Sequence, residues 1–188
     1  MAAATIIMKG CDPMGHFPLF LDLTDKPVLL VGHGPETDFK LQKLLPFAPR
    51  LRRLDHLTAA DLTPTPAFVV AGDLSRGESE EISRLCRERE IPVNVVDKTD
   101  LCTFYFPALI SRGPLTVGIS TAGVSPAAAA LLRQQYEDQL PDRTEEILQW
   151  ANTLRGRCPG PVIKAAVKTA LEQNRILTDA ELDALRRP

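Results

Sequence analysis

Three stretches of the 188-residue chain carry residue types that do chemistry. The first is VLLVGHGPETDFK at 28–40, an apolar run ending in Gly32-His33-Gly34 and passing into a helix-like segment. In a dinucleotide-binding turn the first glycine makes the tight turn and the second lets the backbone approach a pyrophosphate. Helix N–H groups then receive the phosphates. Gly32 and Gly34 fill the two glycine places, and Thr37 stands in the third. Pro35 removes one donor from the helix start, and Glu36 adds a negative charge that suits the helix dipole but repels phosphate. Asp55 lies roughly twenty residues on, where an acid would meet a ribose. A tight strand-to-helix turn without a ligand has the same outline. The second stretch is NVVD, which ends in Asp97. A strand-end carboxylate is placed for proton transfer, or equally for a helix cap or a turn. The third is GISTAGVSP at 118–126, whose small residues, hydroxyls and following helix make an anion nest or a plain cap.

These residues need a scaffold. PVLLVG (27–32), AFVVAGD (67–73) and IPVNVVD (91–97) read as buried strands, and RLRRLD (50–55) as a weak or edge strand. Helices are expected over 35–47, with Phe39, Leu41, Leu44 and Leu45 as its apolar residues, and over 77–90. The β-α-β rhythm argues for a parallel sheet covered by helices. Ligands bind such sheets at the carboxyl ends of the strands, here Gly32–Glu36, Ala71-Gly72-Asp73 and Asp97. After Asp97 the pattern becomes two strands joined by SRGP (111–114) and then helices. The first of these starts at Ser125-Pro126, an N-cap followed by proline at the first helical position. Thr178 and Glu181 fit a capping box.

Bulk properties narrow the field. A net charge of −2 gives no basic footprint for nucleic acid, and no apolar run reaches the ~18 residues that span a bilayer. The first 16 residues lack a secretory signal pattern; they read as a ragged tail, with Met14 as an alternative start. Cys11, Cys86, Cys102 and Cys158 are widely spaced, so reduced thiols and a cytoplasmic location are expected. His16, His33 and His56 are scattered, and no metal cage of His and Cys is visible.

Taken together, FPLFLDLTDKPVLLVGHG, IPVNVVD, FPALISRGPLTVGISTAGVSP and LLRQQYEDQLP resemble the precorrin-2 dehydrogenase/sirohydrochlorin ferrochelatase family, which also forms the front part of siroheme synthases. The resemblance covers about 17 to 156, with one gap. It implies an α/β fold: a Rossmann-like NAD-binding domain (17–112), here shortened, a dimerisation segment (113–140) and a helical module (141–188). It also implies a homodimer, NAD+ as hydride acceptor, a tetrapyrrole substrate (precorrin-2 or sirohydrochlorin) and, in some members, insertion of Fe2+. The family's essential aspartate matches Asp97, and Asn94 matches a neighbouring family position. Thr121 stands where relatives carry serine, within the loop Ser120, Thr121, Gly123, Ser125. Lys98, Arg112 and Arg133 are candidates for the substrate's carboxylates by charge complementarity. Cofactor contacts fall on Gly32, His33, Gly34, Pro35, Glu36, Asp55, Ala71, Gly72 and Asp73.

The departures lie on the nucleotide side. Relatives usually carry three consecutive glycines where this chain has Gly-His-Gly, and Ala-Thr-Asp/Asn where it has Ala71-Gly72-Asp73. Between 55 and 67 the chain is shorter than the family by very roughly twenty residues, a strand and a helix. Two other expectations therefore stand beside the dehydrogenase: an NAD-free metal chelatase, and a non-catalytic tetrapyrrole-binding partner subunit.

Overall fold

The computed structural model describes residues 15–186; the tail before them, with Cys11 and Met14, lies outside the described residues. Among the described residues, Leu19–Phe106 form one compact unit, and 107–186, with 15–18, form a second.

In the first unit β1 (Pro27–Val31), α1 (Pro35–Leu44), β2 (Arg50–Leu54), β3 (Phe68–Ala71), α2 (Arg76–Arg87) and β4 (Val93–Val95) follow in order. The strands lie β2-β1-β3-β4, and every pairing is parallel. The long apolar runs arise because both faces of the sheet are covered. Val28, Leu30, Phe68 and Val70 pack with Leu44, Phe104 and Phe106 on one face. Leu29, Val31, Val69, Ala71, Val93 and Val95 pack with Ile82 and Cys86 on the other. Each such side chain stabilises by about 1.5–3 kcal/mol when fully buried, which holds the strand ends in register.

β2 is an edge strand, as its arginines foretell. Arg52 pairs with Asp61, and Arg53 Nη1 meets Asp38 Oδ1 at 2.6 Å. The connection from β2 to β3 holds a single 3₁₀ turn, Ala59–Leu62, which sends Leu57 and Leu62 into the core. The face of α1 differs from expectation. Leu44 is buried and Leu41 packs beside it, but Phe39 and Leu45 are more than half exposed. The residue that α1 buries completely near its start is Thr37.

In the second unit β5 (Ala108–Arg112) and β6 (Leu115–Ile119) form an antiparallel hairpin. Gly113 in its turn has φ 55, in the left-handed region that favours glycine. Because β5 pairs only with β6, it belongs here, and the division between units falls ahead of residue 112. Helices α3 (Pro126–Asp138), α4 (Thr144–Thr153), α5 (Gly160–Glu172) and α6 (Asp179–Arg186) follow. The last three enclose Ile147, Leu154, Ala166, Ala170 and Leu182. The expected capping box forms, with the Thr178 N–H donating to Glu181 Oε2 at 2.8 Å. Among the described residues no helix is long and apolar enough to cross a membrane.

Candidate functional site

The carboxyl ends of β1 and β3 meet at the glycine turn. A Cβ on Gly32 would lie 2.0 Å from the Gly72 carbonyl oxygen, and Gly32 has φ 103. Glycine is therefore required there by close backbone approach and by conformation. Gly72 is crowded less severely: a Cβ would sit 2.8 Å from Thr37 Oγ1. Arg53 Nε donates to the Gly32 carbonyl at 2.9 Å and braces the turn from β2.

Asp73 follows with φ 56, a left-handed conformation that aspartate tolerates better than most residues. That backbone turns its carboxylate onto the start of α1. Oδ2 accepts from the Thr37 N–H at 2.8 Å and from the Thr37 hydroxyl at 2.7 Å. A Cβ on Gly34 would touch the Asp73 carboxylate at 2.5 Å. The Thr37 N–H, then its hydroxyl, and to a smaller extent the Glu36 N–H and the Arg53 charge, hold the Asp73 carboxyl below its ordinary range. An internal anion thus occupies the helix terminus where a phosphate is received in a dinucleotide turn.

Beside it lies a cleft of about 360 Å³ lined by Val31, Leu57, Leu74 and Ile82, with Asp55, Glu78 and Glu81 among its polar residues. Asp55 is paired with His33, Nε2 to Oδ1 at 2.5 Å, in an exposed contact. An apolar cleft carrying an acid just past the end of β2 suits an adenosine. The helix terminus suits a phosphate, as the seated carboxylate demonstrates, once Asp73 leaves it. The residues therefore fit NAD, with the phosphate seat already taken. Pro35 and Glu36 are exposed at the helix start, and Ala71 is buried and contributes backbone alone.

Asp97 ends the segment after β4 with φ 58, the same left-handed conformation as Asp73. Like Asp73 it is exposed, but no hydrogen bond or ion pair joins it to a described residue. Lys40, on α1, senses it. Burial pushes the Lys40 ammonium down, and the Glu36 and Asp97 carboxylates oppose that shift. The same ammonium lies 4.8 Å over the Phe106 ring. Lys40 escaped the sequence reading; its only signal there is its place one turn after Glu36. Lys98 donates to the Leu74 carbonyl at 3.2 Å, which ties the Asp97 loop to the β3–α2 loop. Asn94 is only 6% exposed and its Nδ2 donates to the Phe104 carbonyl at 3.0 Å, while Oδ1 has no partner among the described residues. It faces the aromatic side of the sheet and pins the returning chain.

In the second unit the hydroxyls of GISTAGVSP are spent on the loop itself. Thr121 Oγ1 donates to the Ser125 carbonyl at 3.0 Å and accepts from the Ser125 N–H at 3.2 Å. Ser120 Oγ accepts from Ala122 N–H, and Ser125 Oγ caps α3 through Ala128 N–H. Gly123 (φ 83) and its neighbours Ala122 and Val124 project as an exposed tip. Arg112 and Arg133 converge on Glu137, Arg112 at 3.8 Å and Arg133 in direct contact. The four-residue spacing of Arg133 and Glu137 on one helix signals their pair, and nothing in the sequence signals that Arg112 joins it. Among the described residues no group of three His, Cys, Asp or Glu side chains is placed to hold a metal ion.

Residues 52–108 match a family described as "Putative NAD(P)-binding", and 112–139 match the central part of sirohaem biosynthesis proteins. The chain is 28% identical to a siroheme synthase of Neisseria meningitidis serogroup C over 86% of its length. It is 32% identical to that of Psychrobacter sp. over 76%, and 34% identical to that of Methylococcus capsulatus over 77%. It belongs to the siroheme synthase family. The chain spans about a third of the length of these relatives, 33–37%. Its fold matches the solved structure of SirC, a precorrin-2 dehydrogenase, with a TM-score of 0.62 at 16% identity, over 91% of this chain and 97% of that one.

Proposed function

We propose that this protein oxidises precorrin-2 to sirohydrochlorin with NAD+. The observation that carries the reading is one sheet edge bearing a nucleotide-shaped turn and cleft together with an exposed carboxylate, Asp97, that makes no hydrogen bond to a described residue. The substrate loses a hydride and a proton. NAD+, when bound, supplies the hydride acceptor. Asp55 would meet its ribose, Leu57 and Leu74 would flank its base, and the Gly32–Gly34 backbone and the Thr37 N–H would hold its phosphates. Asp97 takes the proton, a role that its exposed, unbonded carboxylate suits. Lys40 and Lys98 supply positive charge for the substrate's carboxylates. If Fe2+ is inserted afterwards, it enters as a substrate, and Asp97 is the group that strips the pyrrole N–H protons. The exposed Leu131 and Tyr136 on α3 support a homodimer through the middle segment, and the free thiols Cys86, Cys102 and Cys158 suit a cytoplasmic setting.

The test is turnover of precorrin-2 by the purified chain with NAD+. Sirohydrochlorin and NADH should form one for one, and Asp97→Ala should slow this by about a hundredfold or more. An unaltered rate in that variant removes Asp97 from the mechanism. The carboxylate already seated on α1 favours one second reading, a chelatase that works without NAD. Iron insertion into sirohydrochlorin with no oxidation of precorrin-2 would select it.

A further inference from the structure

The two strand-end acids of the first unit share a backbone conformation and differ in use. Asp97 makes no hydrogen bond to a described residue, whereas Asp73 is folded back onto the first turn of α1. A helix of ten residues offers few unsatisfied N–H groups at its start, and here Pro35 supplies none. The Thr37 N–H is the donor aimed at the glycine turn, and the Asp73 carboxylate holds it at 2.8 Å. Gly34 leaves only enough room for that carboxylate: a single added methyl would meet it at 2.5 Å. A pyrophosphate and the Asp73 side chain therefore cannot share the space over Gly34.

We infer that Asp73 is an internal competitor for the pyrophosphate of the nucleotide: it occupies the phosphate seat at α1 in the free protein and must swing away when NAD+ binds. It sets the affinity of the site without touching the adenosine cleft, which is walled by Leu57, Leu74 and Ile82. Opening needs no movement of the sheet. The side chain is on the surface, and the Arg53 guanidinium, already bracing Gly32, lies within electrostatic reach of the displaced carboxylate. This inference rests on the reading of the β1–α1 turn as a nucleotide site and adds the residue that limits it.

The experiment titrates the full chain with three probes, NAD+, inorganic pyrophosphate and adenosine, in the wild type and in Asp73→Asn. Asparagine tolerates the left-handed backbone and still accepts a hydrogen bond from Thr37, so the fold is retained. Removing the charge should tighten NAD+ and pyrophosphate by about tenfold and leave adenosine unchanged. Asp73→Gly, which also suits φ 56, should tighten NAD+ at least as much and serves if the asparagine variant folds poorly. Equal or weaker NAD+ binding in a folded variant overturns the inference. Pyrophosphate binding gained in Asp73→Asn with no NAD+ binding in either protein would uphold the competitor and count against the cofactor. Gain of neither would overturn the competitor.

Discussion

Gly32→Ala is the sharpest test of how the glycine turn is built. The new methyl would lie 2.0 Å from the Gly72 carbonyl oxygen and 3.3 Å from Leu74 Cγ. Ordinary contact needs the carbonyl to retreat by roughly 1 Å or more. That retreat strains the Gly72 N–H bond to the Val31 carbonyl, now 3.1 Å, which closes the β1–β3 ladder. Losing such a bond costs about 1 kcal/mol. A side chain at φ 103 adds about 1–2 kcal/mol, and forced overpacking in a tight core adds about 1–3 more. The expected loss is about 3–6 kcal/mol, a midpoint shift of about 1.5–3 M if the urea m value is about 2 kcal/mol/M. Urea unfolding followed by far-UV circular dichroism reads it. The lone tryptophan, Trp150, sits in the helical core of the second unit and gives a separate fluorescence signal for that unit. Gly77→Ala is the control, since its Cβ would meet nothing within 4 Å, and it should be neutral or slightly stabilising. A loss below about 1 kcal/mol for Gly32→Ala would refute the close approach of the two backbones.

Asn94→Ala should cost about 1–3 kcal/mol, because it leaves the buried end of the Phe104 carbonyl interaction unmade; urea denaturation measures it, and full stability would argue that the amide does not pin the chain. The cleft carries Asp55, Glu78 and Glu81, so a 2′-phosphate is repelled: NADP+ should bind at least about tenfold more weakly than NAD+, and calorimetry giving equal affinities would contradict that. The Asp73 carboxyl is held below its ordinary value, so its cap stabilises fully above that value and is lost as pH falls through the folded one. Thermal melts of wild type and Asp73→Asn should therefore converge in acid and separate above the usual carboxylate range.

Much of the scaffold was legible because burial on both faces writes long apolar runs into β1, β3 and β4, and because Leu51 and Leu54 alternating with arginines mark β2 as an edge. Turn and cap residues placed the rest: SRGP between β5 and β6, Ser125-Pro126 at α3, and the Thr178–Glu181 box. What stayed hidden depends on distant side chains meeting. Thr37 stands in the third glycine place of the fingerprint, and it is buried as the partner of Asp73, 36 residues on. That pairing follows from the left-handed turn at Asp73, which no local pattern dictates. Phe39 and Leu45 looked like core and lie outward, with the Lys43 ammonium 4.4 Å over the Phe39 ring. Thr121 stands where relatives carry serine, and its hydroxyl braces its own loop. Glu137 binds both Arg112 and Arg133, and Lys40 answers to Asp97 through space alone.

The measurement that bears most directly on the function is a titration of the isotope-labelled wild-type chain with NAD+, followed by amide chemical shifts. Saturable changes should fall on 31–38, on Asp55 to Leu57 and on 72–78, with the Thr37 amide among the largest because it exchanges a carboxylate for a phosphate. Shifts that never appear as NAD+ is raised to millimolar concentration, or that map only to the second unit, would contradict NAD-dependent oxidation by this protein.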